Sequence, residues 1–131
     1  MTHTVLLYSD RPEIREQMRL AVGPRPAPDL QVRFVEAASY DECVRLVDTY
    51  RIDLLLLDGE ARPAGGMAVA RQLRDELADC PPLCLVIARA ADRWLAAYSG
   101  VDAVLLHPMD PFRTGQTVAS LLYRHTPAGA A

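Results

Sequence analysis

Three polar residues break an otherwise apolar rhythm: Asp10 soon after Val5-Leu6-Leu7-Tyr8, Asp58 after Leu54-Leu55-Leu56-Leu57, and His107 after Ala103-Val104-Leu105-Leu106. Two carboxylates at the ends of neighbouring strands can share a hard divalent cation. Mg²⁺ asks for oxygen ligands in near-octahedral geometry and keeps several waters. Asp10 and Asp58, with the backbone carbonyl of Glu60, would supply half of such a shell. The same residues have a plainer reading, in which Asp10 caps a helix and Asp58 ends a strand, and spacing leaves the two open. Lysine chemistry is excluded outright: all 14 basic residues are Arg, and the chain has neither Lys nor Asn.

Other chemistry is sparse. Cys43, Cys80 and Cys84 leave one thiol odd, and His3, His107 and His125 are scattered, so the thiols read as core residues in a reducing cytoplasm rather than as metal ligands. A net charge of −3 with no basic run argues against nucleic-acid binding. No apolar stretch approaches the ~20 residues of a membrane span, and the polar start does not read as a secretory signal. No Gly-rich phosphate loop follows the first strand, which disfavours a nucleotide or flavin binder.

These residues need a frame. At 131 residues the chain bounds one domain with a core of its own. Arg11-Pro12 opens a helical pattern with Ile14, Met18, Ala21 and Val22 on one face. The stretch from Gly23 to Pro28, with three prolines, reads as a stiff loop, and Gln31 to Ala37 as a strand. Ser39 and Glu42 form a capping box for a second helix through Val44 and Val47. Ile52 to Leu57 is the most buried-looking run. Val69, Ala70, Leu73 and Leu77 mark a third helix, and Leu83 to Ile87 a fourth strand. Asp92 to Tyr98 predicts a short helix ended by Gly100, and Ala103 to Leu106 a fifth strand. Asp110-Pro111 starts the last helix, with Phe112, Val118, Leu121 and Leu122 inward. Residues 1–125 form the domain, and 126–131 read as a flexible tail. Five apolar strands alternating with five helices imply a doubly wound α/β fold, its parallel sheet covered on both faces. Such sheets hold their sites beyond the carboxyl ends of the strands, where Asp10, Asp58 and His107 fall.

The chain resembles a response-regulator receiver domain of the CheY-like, flavodoxin-like type along nearly its whole length. Val5 to Pro12 is similar to the family's opening of apolar strand, acidic pair and proline. Ile52 to Asp58 is similar to the strand bearing the phosphoacceptor aspartate, and Pro63 and Gly66 to the loop behind it. Leu83 to Arg89 matches the fourth strand, and His107-Pro108-Met109-Asp110 the exit of the fifth. The resemblance implies strand order 2-1-3-4-5, Asp58 as residual phosphoacceptor, Asp10 as a metal ligand, and a cis bond before Pro108. Arg89 and Glu60 fall on the rim, where they are either two solvated side chains or a pair in which Arg89 meets Glu60 or Asp58 in place of the missing lysine.

The departures weigh as much as the matches. Ser9 stands where the family has its first acid, Ile87 where it has a hydroxyl residue, His107 where it has lysine, and Val104 where it has the switch aromatic. Phosphoryl transfer to a carboxylate is mostly positioning and charge compensation, and each missing donor handicaps it by ~10²-fold. His107 supplies a charge only when protonated, and an ordinary imidazole titrates near ~6.5. Without the hydroxyl and the aromatic, a phosphoryl group has no lever to pull, and Mg²⁺ binding is weak. The expected function is a phosphorylation-independent protein–protein interaction module, not an enzyme. The alternative is a phosphotransfer protein that takes phosphate at Asp58 from a histidine kinase.

Receivers dock partners through the fourth helix, fifth strand and fifth helix, which here carry the expected interface residues Trp94, Leu95, Tyr98 and Tyr123. A narrower resemblance runs through Tyr8-Ser9-Asp10, Asp58-Gly59-Glu60-Ala61, Gly65-Gly66-Met67, Cys80-Pro81-Pro82 and Trp94-Leu95-Ala96. These pieces are similar to stand-alone, atypical receivers of actinobacteria associated with respiratory complex I as accessory proteins. That resemblance implies a cytoplasmic protein held at the inner membrane through its partner.

Overall fold

The computed structural model describes residues 2–97 and 99–125, so Tyr98 and the tail 126–131 lie outside the described residues. The chain runs β1 (Thr2–Tyr8), α1 (Pro12–Val22), β2 (Gln31–Ala37), α2 (Tyr40–Thr49), β3 (Leu54–Asp58), α3 (Gly66–Glu76), β4 (Leu83–Ile87), α4 (Arg93–Ala97), β5 (Ala103–Leu106) and α5 (Pro111–His125). The five strands are parallel, in the order β2-β1-β3-β4-β5. Among the described residues four full helices flank the sheet where five were expected. The fourth crossover holds a 3₁₀ turn, Ala90–Asp92, and only the five-residue segment α4.

Side chains alternating along each strand build two cores. Val5 and Leu7 of β1, Leu54 and Leu56 of β3, and Val86 of β4 pack against Ile14, Met18, Val118 and Leu122. Leu6, Tyr8, Leu55, Leu57 and Ile87 point the other way, onto Val69, Ala70 and Leu73. Strands covered on both faces are apolar at every position, and that is why β3 and β4 are buried from end to end.

Local chemistry sets the element ends. Pro12 stands at the start of α1, where its missing N–H costs nothing, and Arg11 precedes it without a side-chain cap. Ser39 Oγ accepts the Glu42 amide at 3.2 Å, while the Glu42 carboxylate accepts from the Ala38 amide at 3.3 Å, one residue earlier than a standard capping box. The third strand begins at Leu54 rather than Ile52. Asp53 takes the Thr4 amide on its own carboxylate at 2.8 Å, so the ladder starts only after it. Phe112 departs from its expected inward place and is 71 % exposed. It keeps the helical register of Gly115, Ala119 and Leu122, but in the first turn of α5 nothing packs over it.

The thiols behave as buried apolar groups. Burial pushes both Cys43 and Cys84 up to about 12, and it likewise raises the half-buried Cys80. Burial, with help from Cys43, Asp10 and Asp58, raises the Tyr8 phenol to about 12. The unfolded chain sheds these protons near its ordinary values of 9.0 and 10.0, the folded one only near 12. Between those limits the unfolded state binds fewer protons, so their stabilisation, complete below pH 9, is lost as pH rises toward 12. Urea midpoints should therefore hold steady through pH 8 and fall progressively above pH 9. A midpoint that stays flat to pH 11 would contradict this burial.

Candidate functional site at the carboxyl edge of the sheet

The register of β1 on β3 sets Tyr8 opposite Leu57, so the next residues, Ser9 and Asp58, leave the sheet side by side. Asp58 is fully buried. Its Oδ2 accepts the Ser9 hydroxyl at 2.8 Å, and its Oδ1 accepts the Glu60 amide at 2.9 Å. The His107 Nε2 stands 3.9 Å from Oδ1, an ion-pair distance that becomes an ion pair only with a protonated imidazole. The bond before Pro108 is cis, as expected, and so is the bond before Pro63, which was not foreseen.

Ser9 is itself held on several sides. Its hydroxyl accepts the Arg11 amide at 3.1 Å, and its carbonyl accepts the Arg15 guanidinium at 2.7 Å. Arg15 also donates to Glu36 at 2.8 Å, linking α1 to β2. Tyr8 Oη donates to the Ala64 carbonyl, which ties β1 to the β3–α3 loop. Beneath that loop, glycine is required by close approach. A Cβ on Gly66 would lie 2.8 Å from the Asp58 carbonyl oxygen and 2.7 Å from Leu85 Cδ1, and one on Gly59 would lie 2.8 Å from the Val86 carbonyl oxygen.

The structure sorts the expected site residues. Asp58, His107 and the Glu60 amide meet at one place, whereas the expected contribution of Glu60 was its carbonyl. Asp10 reaches the same edge, but its Oδ1 accepts the Arg62 amide at 3.1 Å, and it neither caps α1 nor completes a metal shell. Among the described residues, no group of three or more His, Cys, Asp or Glu side chains is arranged to hold a metal ion. With Ser9 in place of an acid, Asp10 held by the Arg62 amide and no cluster of three such side chains among the described residues, the donor set does not fit a resident Mg²⁺.

Arg89 takes the solvated of its two expected places. Its guanidinium lies 3.9 Å from Asp92, is 74 % exposed, and forms an ion pair with neither Glu60 nor Asp58. The 3₁₀ turn that follows sets Asp92 three residues ahead, closer than any pocket acid. Of the expected interface, Trp94 is 64 % exposed and Leu95 belongs to α4. Tyr123 does not join them: its hydroxyl donates to Asp29, just before β2, on the side where α5 packs against α1. The residues that sequence reasoning missed are Ser9 as donor to Asp58, Arg15 as the clamp on Ser9, and Tyr8 as the tie to the loop.

Two uncharacterized response regulatory proteins of Mycobacterium tuberculosis, from two strains, are 47 % identical to the chain over 119 residues, covering 90 % of the chain and 90 % of each relative. The chain belongs to the response-regulator receiver family. No family model matches it. The REC domain of AraT from Geobacillus stearothermophilus superposes with a TM-score of 0.73 at 25 % identity, covering 95 % of both chains. The chemotaxis response regulator CheY4 of Vibrio cholerae superposes with a TM-score of 0.76 at 15 % identity, covering 92 % of this chain and 99 % of its own, a likeness of fold. No helix of the described receiver is long and apolar enough to cross a membrane.

Proposed function

We propose that this receiver is a degenerate one that works as a protein-docking module without a phosphorylation switch. One observation carries the reading: Ser9 Oγ donates to Asp58 Oδ2 at 2.8 Å inside a pocket that leaves Asp58 no exposed surface. A phosphoryl acceptor needs a free lone pair in line with the incoming phosphorus, and charge compensation around it. Each Asp58 oxygen keeps a lone pair beside the one hydrogen bond it accepts, but the carboxylate has no exposed surface, and the one charge-compensating group that meets it among the described residues, the His107 imidazole, stands 3.9 Å away.

The relay to the surface is also missing. Ile87 is buried among apolar neighbours and has no hydroxyl for a phosphoryl oxygen, and Val104 has no ring to swing. A ligand that interacts equally with two states shifts neither, so a phosphoryl group would have little to select. What remains is a surface with exposed Trp94 and Phe112. Aromatic side chains of this kind are enriched at interface hot spots.

Respiratory complex I is the candidate assembly, on the strength of the narrower resemblance in Tyr8-Ser9-Asp10, Asp58 to Ala61 and Trp94 to Ala96. Docking there would place a cytoplasmic protein at the inner membrane through its partner. The competing reading is phosphotransfer from a histidine kinase to Asp58. Incubation with acetyl phosphate and Mg²⁺, followed by intact mass measurement, separates the two. The docking reading expects the unmodified mass to persist; gain of one phosphoryl group that Asp58→Ala abolishes would overturn it.

A further inference from the structure

The sheet has two edges, β5 on one side and β2 on the other. Two hydrogen bonds show which way the backbone of β2 points. Ala37 turns its carbonyl toward β1, where it accepts the Ser9 amide at 3.2 Å, whereas Val32 turns its amide away, to the Pro24 carbonyl at 2.9 Å. Backbone groups alternate in direction along a strand, so Val32, Phe34 and Glu36 all face outward. The Pro24 loop closes the edge at Val32. Among the described residues, the N–H and C=O groups of Phe34 and Glu36 have no hydrogen-bond partner, and no strand lies beyond β2.

Open edges are ordinarily guarded by proline, by bulges or by free charges that repel a second strand. The seven residues of β2 contain no proline, and both of its charged side chains are committed within the chain. Arg33 Nε donates to Thr4 Oγ1 at 2.8 Å, and Glu36 accepts Arg15 Nε at 2.8 Å. The open window is also self-complementary. Two identical strands related by a two-fold axis pair antiparallel, and one register uses every open group: Phe34 opposite Glu36 of the second copy, with Val35 on the axis. That register sets Val32 opposite Ala38 of the second copy. The loop at Pro24 and Arg25, bonded to Val32, then lies alongside the copy's Asp41 in the first turn of α2. Arg25 and Asp41 are both exposed, opposite in charge, and without an ion pair among the described residues.

We propose that β2 is a self-association edge, through which two copies of this chain join antiparallel into one continuous sheet, held by Phe34–Glu36 backbone bonds and an Arg25–Asp41 contact at each end. The seam is short and falls well below the ~1,200–2,000 Å² of stable interfaces, so the pair is weak and fills between micromolar and millimolar concentration. It stands apart from the docking reading, whose exposed aromatics lie toward the opposite edge of the sheet.

Sedimentation equilibrium from micromolar to millimolar receiver reads the association, and amide hydrogen exchange locates it. A monomer–dimer equilibrium is expected, in which exchange at Phe34 and Glu36 slows as the dimer fills. Glu36→Pro removes one outward N–H where an edge strand tolerates proline, and it should abolish the dimer. Arg25→Glu alone and Asp41→Arg alone should each weaken association by ~10-fold, because symmetry doubles every like-charge contact. The two together should restore it, a rescue that misfolding cannot imitate. Both positions are exposed, so the charge swap tests the proposal even if Glu36→Pro fails to fold.

A receiver that stays monomeric to millimolar concentration would overturn the proposal and leave the β2 edge to some other chain. So would a dimer that Glu36→Pro and both single charge reversals leave intact. A dimer whose Phe34 and Glu36 amides exchange at the monomer's rate would place the seam elsewhere and overturn it as well. None of these results touches the docking reading, which the phosphorylation measurement tests separately.

Discussion

Restoring the missing donors, by Ser9→Asp with Ile87→Thr and His107→Lys, is expected to speed phosphorylation of Asp58 by acetyl phosphate and Mg²⁺ by ~10²-fold or more. Each change acts on a different part of the barrier. Aspartate at residue 9 removes the hydroxyl that occupies Asp58 Oδ2 and adds a carboxylate for the metal. Lysine at 107 replaces an imidazole 3.9 Å from Oδ1 with a permanent cation on a longer stem. Threonine at 87 adds a hydroxyl at the end of β4, but it buries a polar group where Ile87 is 1 % exposed, at a stability cost of ~1–3 kcal/mol. The effects are not additive, because the groups act on one transition state. Rates of mass gain in the parent and the triple variant, with Asp58→Asn as control, provide the check. A parent as fast as the triple variant would mean that the departures at these positions do not matter.

Gly66→Ala should be the most damaging single methyl that can be added around the site, lowering unfolding stability by ~1–3 kcal/mol. The new Cβ would meet the Asp58 carbonyl oxygen at 2.8 Å, and backbone cannot step aside as a side chain can. That carbonyl accepts the Ala61 amide at 3.2 Å, so the strain passes directly into the loop that shapes the pocket. Gly23→Ala makes the contrast. Its glycine has φ 72° and ψ 168° with nothing within 4 Å, so only the backbone, in a region essentially reserved to glycine, is penalised, by ~1–3 kcal/mol. Urea denaturation of both variants should show equal slopes and lowered midpoints. A Gly66→Ala protein as stable as the parent would show that the loop packs more loosely than described.

The fold was legible because two-sided burial leaves a mark that survives in any single sequence. The runs at Val5, Leu54, Leu83 and Ala103 are apolar throughout, and their carboxyl ends bring Asp58 and His107 together as a doubly wound sheet must. The fourth crossover read as a short helix from Asp92 to Tyr98, and its described part is a five-residue helix after a 3₁₀ turn, too short to stand as a full helix over the sheet. Ser9 as a donor to Asp58 lay within reach: the β1–β3 register that sets Tyr8 opposite Leu57 dictates it, once the strands are known to be neighbours. Arg89 and Tyr123 lay beyond it. Their choice of Asp92 and Asp29 depends on side-chain directions in a turn and across a helix pair, and no periodicity encodes those. Sequence spacing located the pocket's carboxylates, while the donors that occupy them emerged only with the third dimension.

The most direct measurement is the amide spectrum of isotopically labelled receiver before and after beryllofluoride with Mg²⁺, a mimic of the aspartyl phosphate. If the coupling between Asp58 and the outer face is lost, resonances of β5 and of the first turns of α5 should stay where they are, at concentrations that saturate the triple variant. Shifts spreading from Asp58 through Ile87 and Val104 to Phe112, and vanishing in Asp58→Asn, would show a working switch and contradict the account.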